Sequence, residues 1–396
     1  MRRITSLMLC LLLSAILLTG CWSRRELNDL GIAVGLSMDK SGGEYEISVQ
    51  IVDPSEVSSK KGGASGRAPV TLYSAKGGTV AEAVRRLTGA TPRRTYFSHI
   101  RIFLISEQIA KGGIREALDF ISRDHEFRTD FYIAIARGMP AKRLLGGMSH
   151  LEKIPASKIF DTLEVADKEW SPVVTVQLDD LLNNLAKQGK NSVLTSFHLE
   201  GDPVKGGTKE DIERVEPIGI VQIGELAVFK GDRLVGWLNE TESRGFTDIT
   251  NKLKRTVVGV TCPKGGKLAV NIIRSDTRVS GRVTGGKPAI TVKSRAEADV
   301  SDVECSIDLT KNKTIDDLEK KVEAAIQSHI EAAIKKAKAL KSDIFGFGEV
   351  FHRMETAYWN QVKDDWDKHF PNVQVKLEVE VQIRRTGTIG NTVPNK

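Results

Sequence analysis

The chain has 396 residues, 40% hydrophobic and 28% charged, a balance that excludes intrinsic disorder, collagen and a polytopic membrane protein. Its formal charge is +7, and loss of a short leader carrying Arg2 and Arg3 would leave +5, too weak a field to imply nucleic acid. The length suggests two or three domains.

Met1-Arg2-Arg3 is followed by an apolar run from Leu7 to Leu18 and then by Thr19-Gly20-Cys21, which predicts a signal peptide over residues 1–20. Twelve helical residues rise only about 18 Å against a hydrocarbon slab of about 30 Å, so a permanent single-pass anchor is the poorer reading. Leu18-Thr19-Gly20-Cys21 places a thiol after two small residues, as a bacterial lipobox does. Cys21 is therefore the expected lipid-attachment residue, carrying diacylglyceryl and N-acyl chains and requiring no other cofactor. Export leaves Cys262 and Cys305 as the remaining thiols. A single bridge between them stays open, since pairing needs a Cα separation that spacing does not reveal, while their strand-like flanks favour each packing as a small apolar residue.

After the polar lead Trp22–Leu27, Gly31–Met38 and Tyr45–Val52 read as a hairpin around Asp39–Gly43. Trp22 reads as an interfacial anchor or as a packed aromatic. Ser58–Ala68 is rich in Gly, Ser and Lys and predicts a loop. Thr79 opens an amphipathic helix with Val80, Val84 and Leu87 inward. Phe97–Ile105 reads as a buried strand, and Gly113 precedes a helix burying Ile114, Ala117, Leu118 and Ile121. Phe131–Ala136 predicts a strand, and Lys153–Glu169 and Val176–Leu185 predict helices. Residues 21–200 thus form an N-terminal α/β domain, and the turn-rich segment 201–214 is taken as the linker.

Residues 215–305 read as a β-rich middle domain, with strands at Val215–Phe229, Arg233–Leu238, Thr256–Cys262, Lys267–Ile273 and Ala289–Val292. Residues 306–396 form the C-terminal domain. There Thr314, with Asp317, is expected to cap a helix running to about Leu340. Its apolar positions Leu318, Val322, Ile326, Ile330 and Ile334 recur every four residues, so the stripe drifts around the rod and should meet more than one neighbour. A second helix, Glu349 to about Phe370, would align Phe351, Met354, Tyr358, Val362, Trp366 and Phe370. Val373 to Ile383 alternates without error and predicts a long antiparallel strand on which both helices pack.

No phosphate loop, HExxH, nucleophile elbow or dinucleotide fingerprint is present, and the seven histidines never fall at metal-ligand spacing, so no metal site and no enzymatic activity are expected. His329 and His352 are expected at solvated helix edges. The densest polar cluster is Arg123-Asp124-His125-Glu126-Phe127-Arg128. Its charges read as pairing among themselves at a surface corner, the alternative being that Arg123, Asp124, Glu126 and Arg128 contact a partner. Arg85, Arg86, Arg93 and Arg94 read as a solvated helix face, with lipid headgroups as the alternative.

Several segments resemble, in order, the Ger(x)C family, the C subunits of spore germinant receptors. They are Cys21-Trp22-Ser23-Arg24-Arg25-Glu26-Leu27-Asn28-Asp29-Leu30, Gly35 and Asp39-Lys40, then Leu118 to Arg128, then Ala227-Val228-Phe229-Lys230 with Val235-Gly236. Asp343-Ile344-Phe345-Gly346-Phe347-Gly348, Trp359 and Trp366 follow. Ser23, where many relatives are acidic, and Thr356, near where many carry proline, depart from the pattern. The resemblance implies an α+β fold of three mixed α/β domains. It also implies a lipoprotein on the outer face of the inner spore membrane, working with membrane subunits A and B and having no known enzymatic role or established small ligand.

Two other classes compete with that reading. A solute-binding lipoprotein would need two similar α/β lobes around a hinge, whereas here an α/β region precedes a β-rich one. A surface hydrolase would need a catalytic constellation that the chain lacks.

Overall fold

A computed structural model describes residues 29–54, 68–262 and 265–385, together with Ile4, Thr5 and Met8. Cys21, Trp22, most of the expected leader and the loop from Ser58 to Arg67 lie outside the described residues.

The described chain opens on the expected hairpin, β1 (Leu30–Ser41) and β2 (Glu44–Val52), paired antiparallel from Ser41↔Glu44 to Ala33↔Ile51. β3 (Val70–Gly77) adds to β2. Thr79 then starts α1 (Val80–Leu87), its hydroxyl accepting the Glu82 N–H at 3.2 Å. The single strand expected over Phe97–Ile105 is instead β4 (Arg94–Tyr96), a 3-10 turn at Phe97–His99, and β5 (Ile102–Ser106). The turn follows from packing: Phe97 is buried with its ring stacked on Phe127 at 4.5 Å, while β4 and β5 pair with successive parts of β1.

There follow α2 (Glu107–Gly112), α3 (Arg115–Arg123), β6 (Tyr132–Ala136), α4 (Ala141–Gly146), α5 (Pro155–Glu169), α6 (Leu178–Ala186) and β7 (Val193–Gly201). β1, β5, β6 and β7 run parallel, and helices cover both faces of this part of the sheet. That double cover is why β5 reads IFLIS without a polar alternation and is buried at every position. β8 (Gly219–Lys230) and β9 (Arg233–Leu238) complete a nine-stranded sheet of path order β3-β2-β1-β5-β6-β7-β8-β9, with β4 beside β1. The segment expected to divide two domains therefore links antiparallel neighbours, Gly201 facing Gly219. The middle β-rich region is shared between two sheets.

α7 (Glu240–Ile249) was not legible as a helix, although Asn239 and Glu242 form a reciprocal capping box at its start. The second sheet has the order β10 (Thr256–Thr261), β11 (Lys267–Thr284), β12 (Lys287–Val303) and, last, the C-terminal β13 (Gln374–Arg385). β11 and β12 meet across Gly285-Gly286, both at positive φ, as a tight two-residue hairpin turn demands. β13 is long and alternating as expected, yet it lies parallel to β12. The intervening helices act as a crossover, which returns the chain to the end of the sheet where β12 began.

The crossover begins with α8 (Asn312–Leu340), which starts two residues before the expected cap. Lys311 holds the capping position, and Thr314 lies inside the first turn. Its stripe Leu318, Val322, Ile326, Ile330 and Ile334 is buried, and as the drift required the helix meets α7, β10 and β13. At the α7 crossing a Cβ on Gly245 would overlap the His329 carbonyl oxygen, so only glycine permits this approach. Glu319 and Glu323 reach over the exposed edge of β13 and accept the Ile383 and Val381 N–H groups at 2.8 and 3.1 Å. This blunts a strand edge that would otherwise invite pairing.

The expected second helix is broken into α9 (Phe347–Met354), α10 (Thr356–Val362) and α11 (Trp366–His369), with non-helical backbone at Glu355 and Asp365. Consequently Phe351, Val362, Trp366 and Phe370 are buried while Met354 turns outward. α9 packs on β11, not on β13 as expected, because Gly281 makes room there for Val350 and Phe351. Cys262 and Cys305 form a disulfide with Cα atoms 6.5 Å apart. The strand-flank expectation of two separate apolar thiols is thus corrected. β10 ends and β12 ends on either side of the start of β11, so sheet register brings the two sulfurs together. No described helix is long and apolar enough to cross a membrane.

Candidate functional site

Arg123 to Arg128 forms a corner between α3 and the loop before β6. Its charges do not chiefly pair with one another. Arg123 Nε bonds Asp119 at 2.9 Å one turn back, and Arg128 bonds Asp130 at 2.6 Å. Glu126 joins Arg94 on β4. Asp124 accepts the Glu126 N–H at 2.9 Å, which shapes the exit from α3 and leaves His125 outside. Bonding to Arg123 lowers the Asp119 carboxyl and raises Arg123 in turn. Beneath the charges, Phe127 seats on Phe97 and Phe120. The arrangement is a salt-bridged surface over an aromatic base, with each carboxylate engaged by a cation or by backbone, so it offers no free acid and base facing a common cleft.

Among the described residues no group of three or more His, Cys, Asp or Glu side chains could hold a metal ion. A cleft of about 550 Å³ does open at the carboxyl ends of β1 and β5, lined by Asp39, Glu46, Ser106, Glu107, Lys111 and Met139 among others. Its polar groups are largely used up internally. Asp39 accepts the Ala141 and Lys142 N–H groups at 2.7 and 2.9 Å, Lys142 pairs with Glu46 at 2.8 Å, and Glu107 takes Lys111 at 2.7 Å and the Gly138 N–H at 3.0 Å. Desolvation raises the Asp39 carboxyl against those two backbone bonds. Asp39 thus joins β1 to the start of α4.

The Asp343–Gly348 segment proves to be a buried joint. Asp343 Oδ1 accepts the N–H groups of Phe345, Gly346 and Phe347 at 3.2, 2.9 and 3.1 Å, and Oδ2 accepts Gly348 N–H at 2.8 Å and Trp366 Nε1 at 2.9 Å. Full burial pushes this carboxyl up to about 6, while the hydrogen bonds from Gly348, Trp366, Phe347 and Gly346 pull it down. Gly346 sits at φ +78, and a side chain on Gly348 would strike Gly189 and Trp359. The Asp343 carbonyl accepts Asn191 N–H at 2.7 Å, and Ser342 Oγ donates to the Phe229 carbonyl at 2.6 Å, which ties the joint to the large sheet.

A second buried carboxylate, Asp248 of α7, accepts Thr277 of β11 and Ser294 of β12 at 2.8 and 2.7 Å. Desolvation raises it. His329 was expected at a solvated edge but is half-buried nearby, its pKa held down by burial and by Arg244, whereas His352 is exposed as expected. Sequence reasoning missed Asp39, Asp248 and Asp343 as buried anchors. Asp248 and Asp343 each stand directly before an isoleucine, whereas Asp39, between Met38 and Lys40, carries no such signal.

Residues 23–199 match the family described as "Spore germination protein N-terminal domain", and residues 224–387 match "Spore germination B3/GerAC like, C-terminal". Spore germination protein KC of Bacillus subtilis (strain 168) is 32% identical over 393 residues, covering 98% of this chain and 97% of that one. The chain belongs to the Ger(x)C family. Spore germination protein B3 of the same organism is 23% identical, covering 94% of this chain and 96% of that one. The crystal structure of the GerBC protein aligns with a TM-score of 0.55 at 17% identity, over 88% of this chain and 97% of that one, and shares its fold. The two Ger(x)C matches leave residues 200–223 between them, the segment that contains the β7–β8 connection.

Proposed function

We propose that this chain is the lipid-anchored C subunit of a germinant receptor, needed for nutrient-triggered spore germination. In this reading Cys21 is acylated and holds the chain on the outer face of the inner spore membrane, where it assembles with membrane subunits A and B and catalyses no reaction. The observation that carries the proposal is the 32% identity to spore germination protein KC along nearly the whole of both chains. The Leu18-Thr19-Gly20-Cys21 sequence supports the anchor. At about 0.8 kcal/mol per buried methylene, two or more acyl chains hold a protein on a membrane where one would exchange. The Cys262–Cys305 bridge supports an exported location, because disulfides persist in oxidising compartments. Sheets of nine and four strands do not make the two matching lobes of a solute-binding lipoprotein.

Expression of wild type and Cys21→Ala in a sporulating host, with labelled fatty acid and co-purification from spore membranes, tests the proposal. Label and membrane partners should follow the wild type and be lost from the variant. Equal labelling of the variant would place the anchor elsewhere, and a labelled wild type that brings down no multi-spanning subunit would refute the assembly.

A further inference from the structure

The continuously described part of the chain starts at Asp29, just before the amino end of β1, where Leu30, Gly31 and Ile32 pair in parallel with Arg94, Thr95 and Tyr96 of β4. The side chain of Arg93 lies against Gly31, and Arg101 leads into β5 at the same end of the sheet. Glu126, held by Arg94, brings the Arg123–Arg128 corner to this end as well. Arg94, Arg101 and Arg128 are each about half or more exposed, and Arg93 is exposed with no ion pair among the described residues. Tyr96 is half-exposed and packs beside the exposed His99.

Covalent geometry limits how far this end can lie from Cys21. Eight peptide units separate Cys21 from Asp29, and even fully extended they span only about 28 Å. The opposite end of β1, which borders the cleft at Asp39 and Glu107, lies a further 12 residues along the strand, roughly 36 Å at strand rise.

Resting on the proposed acylation of Cys21, we infer that the end of the molecule formed by the start of β1, β4 and the Arg123–Arg128 corner is its membrane-facing surface. Arg93, which has no ion pair among the described residues, is set to bond a lipid phosphate, while Arg94, Arg101 and Arg128 keep further exposed donors beside their carboxylate partners, and the cleft points away from the bilayer. A guanidinium suits a phosphate because its planar fork can donate two parallel bonds. Tyrosine with an apolar ring and polar tip suits the headgroup level. Arginines and nearby acids are closely balanced at this end, so the contact is one of hydrogen bonding to phosphates, which zwitterionic and anionic lipids share. The tether supplies the proximity.

The full lipidated chain offers a direct test, since Cys262 and Cys305 are bonded to each other and Cys21 would carry lipid, leaving an introduced cysteine as the single free thiol. Pro92→Cys, beside Arg93, and Gln108→Cys, at the opposite end of the sheet, would each be labelled with a fluorophore. The proteins would be reconstituted in phosphatidylcholine vesicles, with and without phosphatidylglycerol, carrying a headgroup nitroxide. Quenching at position 92 should exceed that at 108 by at least twofold in both lipids. Equal quenching, or more at 108, would overturn the orientation while leaving the anchor intact. A chain whose acylation is absent and which leaves the vesicles would overturn the anchor, and the orientation with it.

Discussion

The indole N–H of Trp366 donates to the carboxylate of Asp343 at 2.9 Å, and both side chains are shielded from water. Trp366 also meets Phe351, Trp359 and Phe370. The bond and the aromatic packing can be separated by substitution. Trp366→Ala should lower unfolding free energy by about 3 to 5 kcal/mol, while Trp366→Phe, which keeps a ring but removes one donor, should lower it by about 1 to 2 kcal/mol. Urea unfolding of the two variants checks this, and wild-type stability in Trp366→Phe would show that the hydrogen bond adds nothing to the packing.

Acidity should act on the same carboxyl. Asp343 is raised from 3.8 to about 6 in the folded chain, so the fold binds its proton more tightly than the unfolded chain does. The stability from this group is therefore complete below about pH 3.8 and is lost as pH rises through 6, a span worth about 3 kcal/mol. Between pH 7 and pH 5 wild type should gain stability relative to Asp343→Asn, whose side chain does not titrate. Parallel pH profiles for the two would contradict the raised pKa.

The disulfide closes a loop with a sequence separation of 43, for which chain entropy gives about 4 kcal/mol. Cys262→Ser with Cys305→Ser should lower stability on that scale. Reductant should destabilise wild type but leave the double variant unchanged, as read by the denaturant midpoint.

Gly245→Ala puts a methyl group where α7 and α8 touch, against the His329 carbonyl. Forcing the helices apart should cost about 1 to 3 kcal/mol or more, visible as a lowered melting temperature. Retention of the wild-type value would mean that the crossing slides without penalty.

At the Arg123–Arg128 corner, Asp124→Ala removes one hydrogen bond to backbone, about 1 kcal/mol, and Arg128→Ala removes a solvent-exposed pair and should leave melting unchanged. Membrane pull-downs separate the two readings of the corner. Retained partners exclude a subunit interface and fit a structural or lipid-facing corner. Near-wild-type melting with lost partners would identify an interface, because truncating one member of a desolvated pair strands the other.

The amino-acid sequence alone determined which face is buried in the segments whose period runs unbroken, but not at Met354, where a helix break turned an expected inward side chain outward. The α8 stripe, the alternation from Val373 to Ile383 and the opening hairpin were legible because side-chain burial repeats with the local period of helix or strand. Family landmarks were legible as strings, without their roles. Tertiary structure alone decided which neighbour each face would meet. Strand alternation is the same whether β13 runs with or against β12, and only the helical crossover settled the direction. Cys262 and Cys305 lie far apart along the chain and meet because two strands end beside a third. The charges from Arg123 to Arg128 look like one another's partners in sequence, but Asp119, Asp130 and Arg94 are nearer in space. Asp343 reads as one acid before a glycine turn, and becomes an anchor only because folding removes water and turns four backbone N–H groups and an indole toward it.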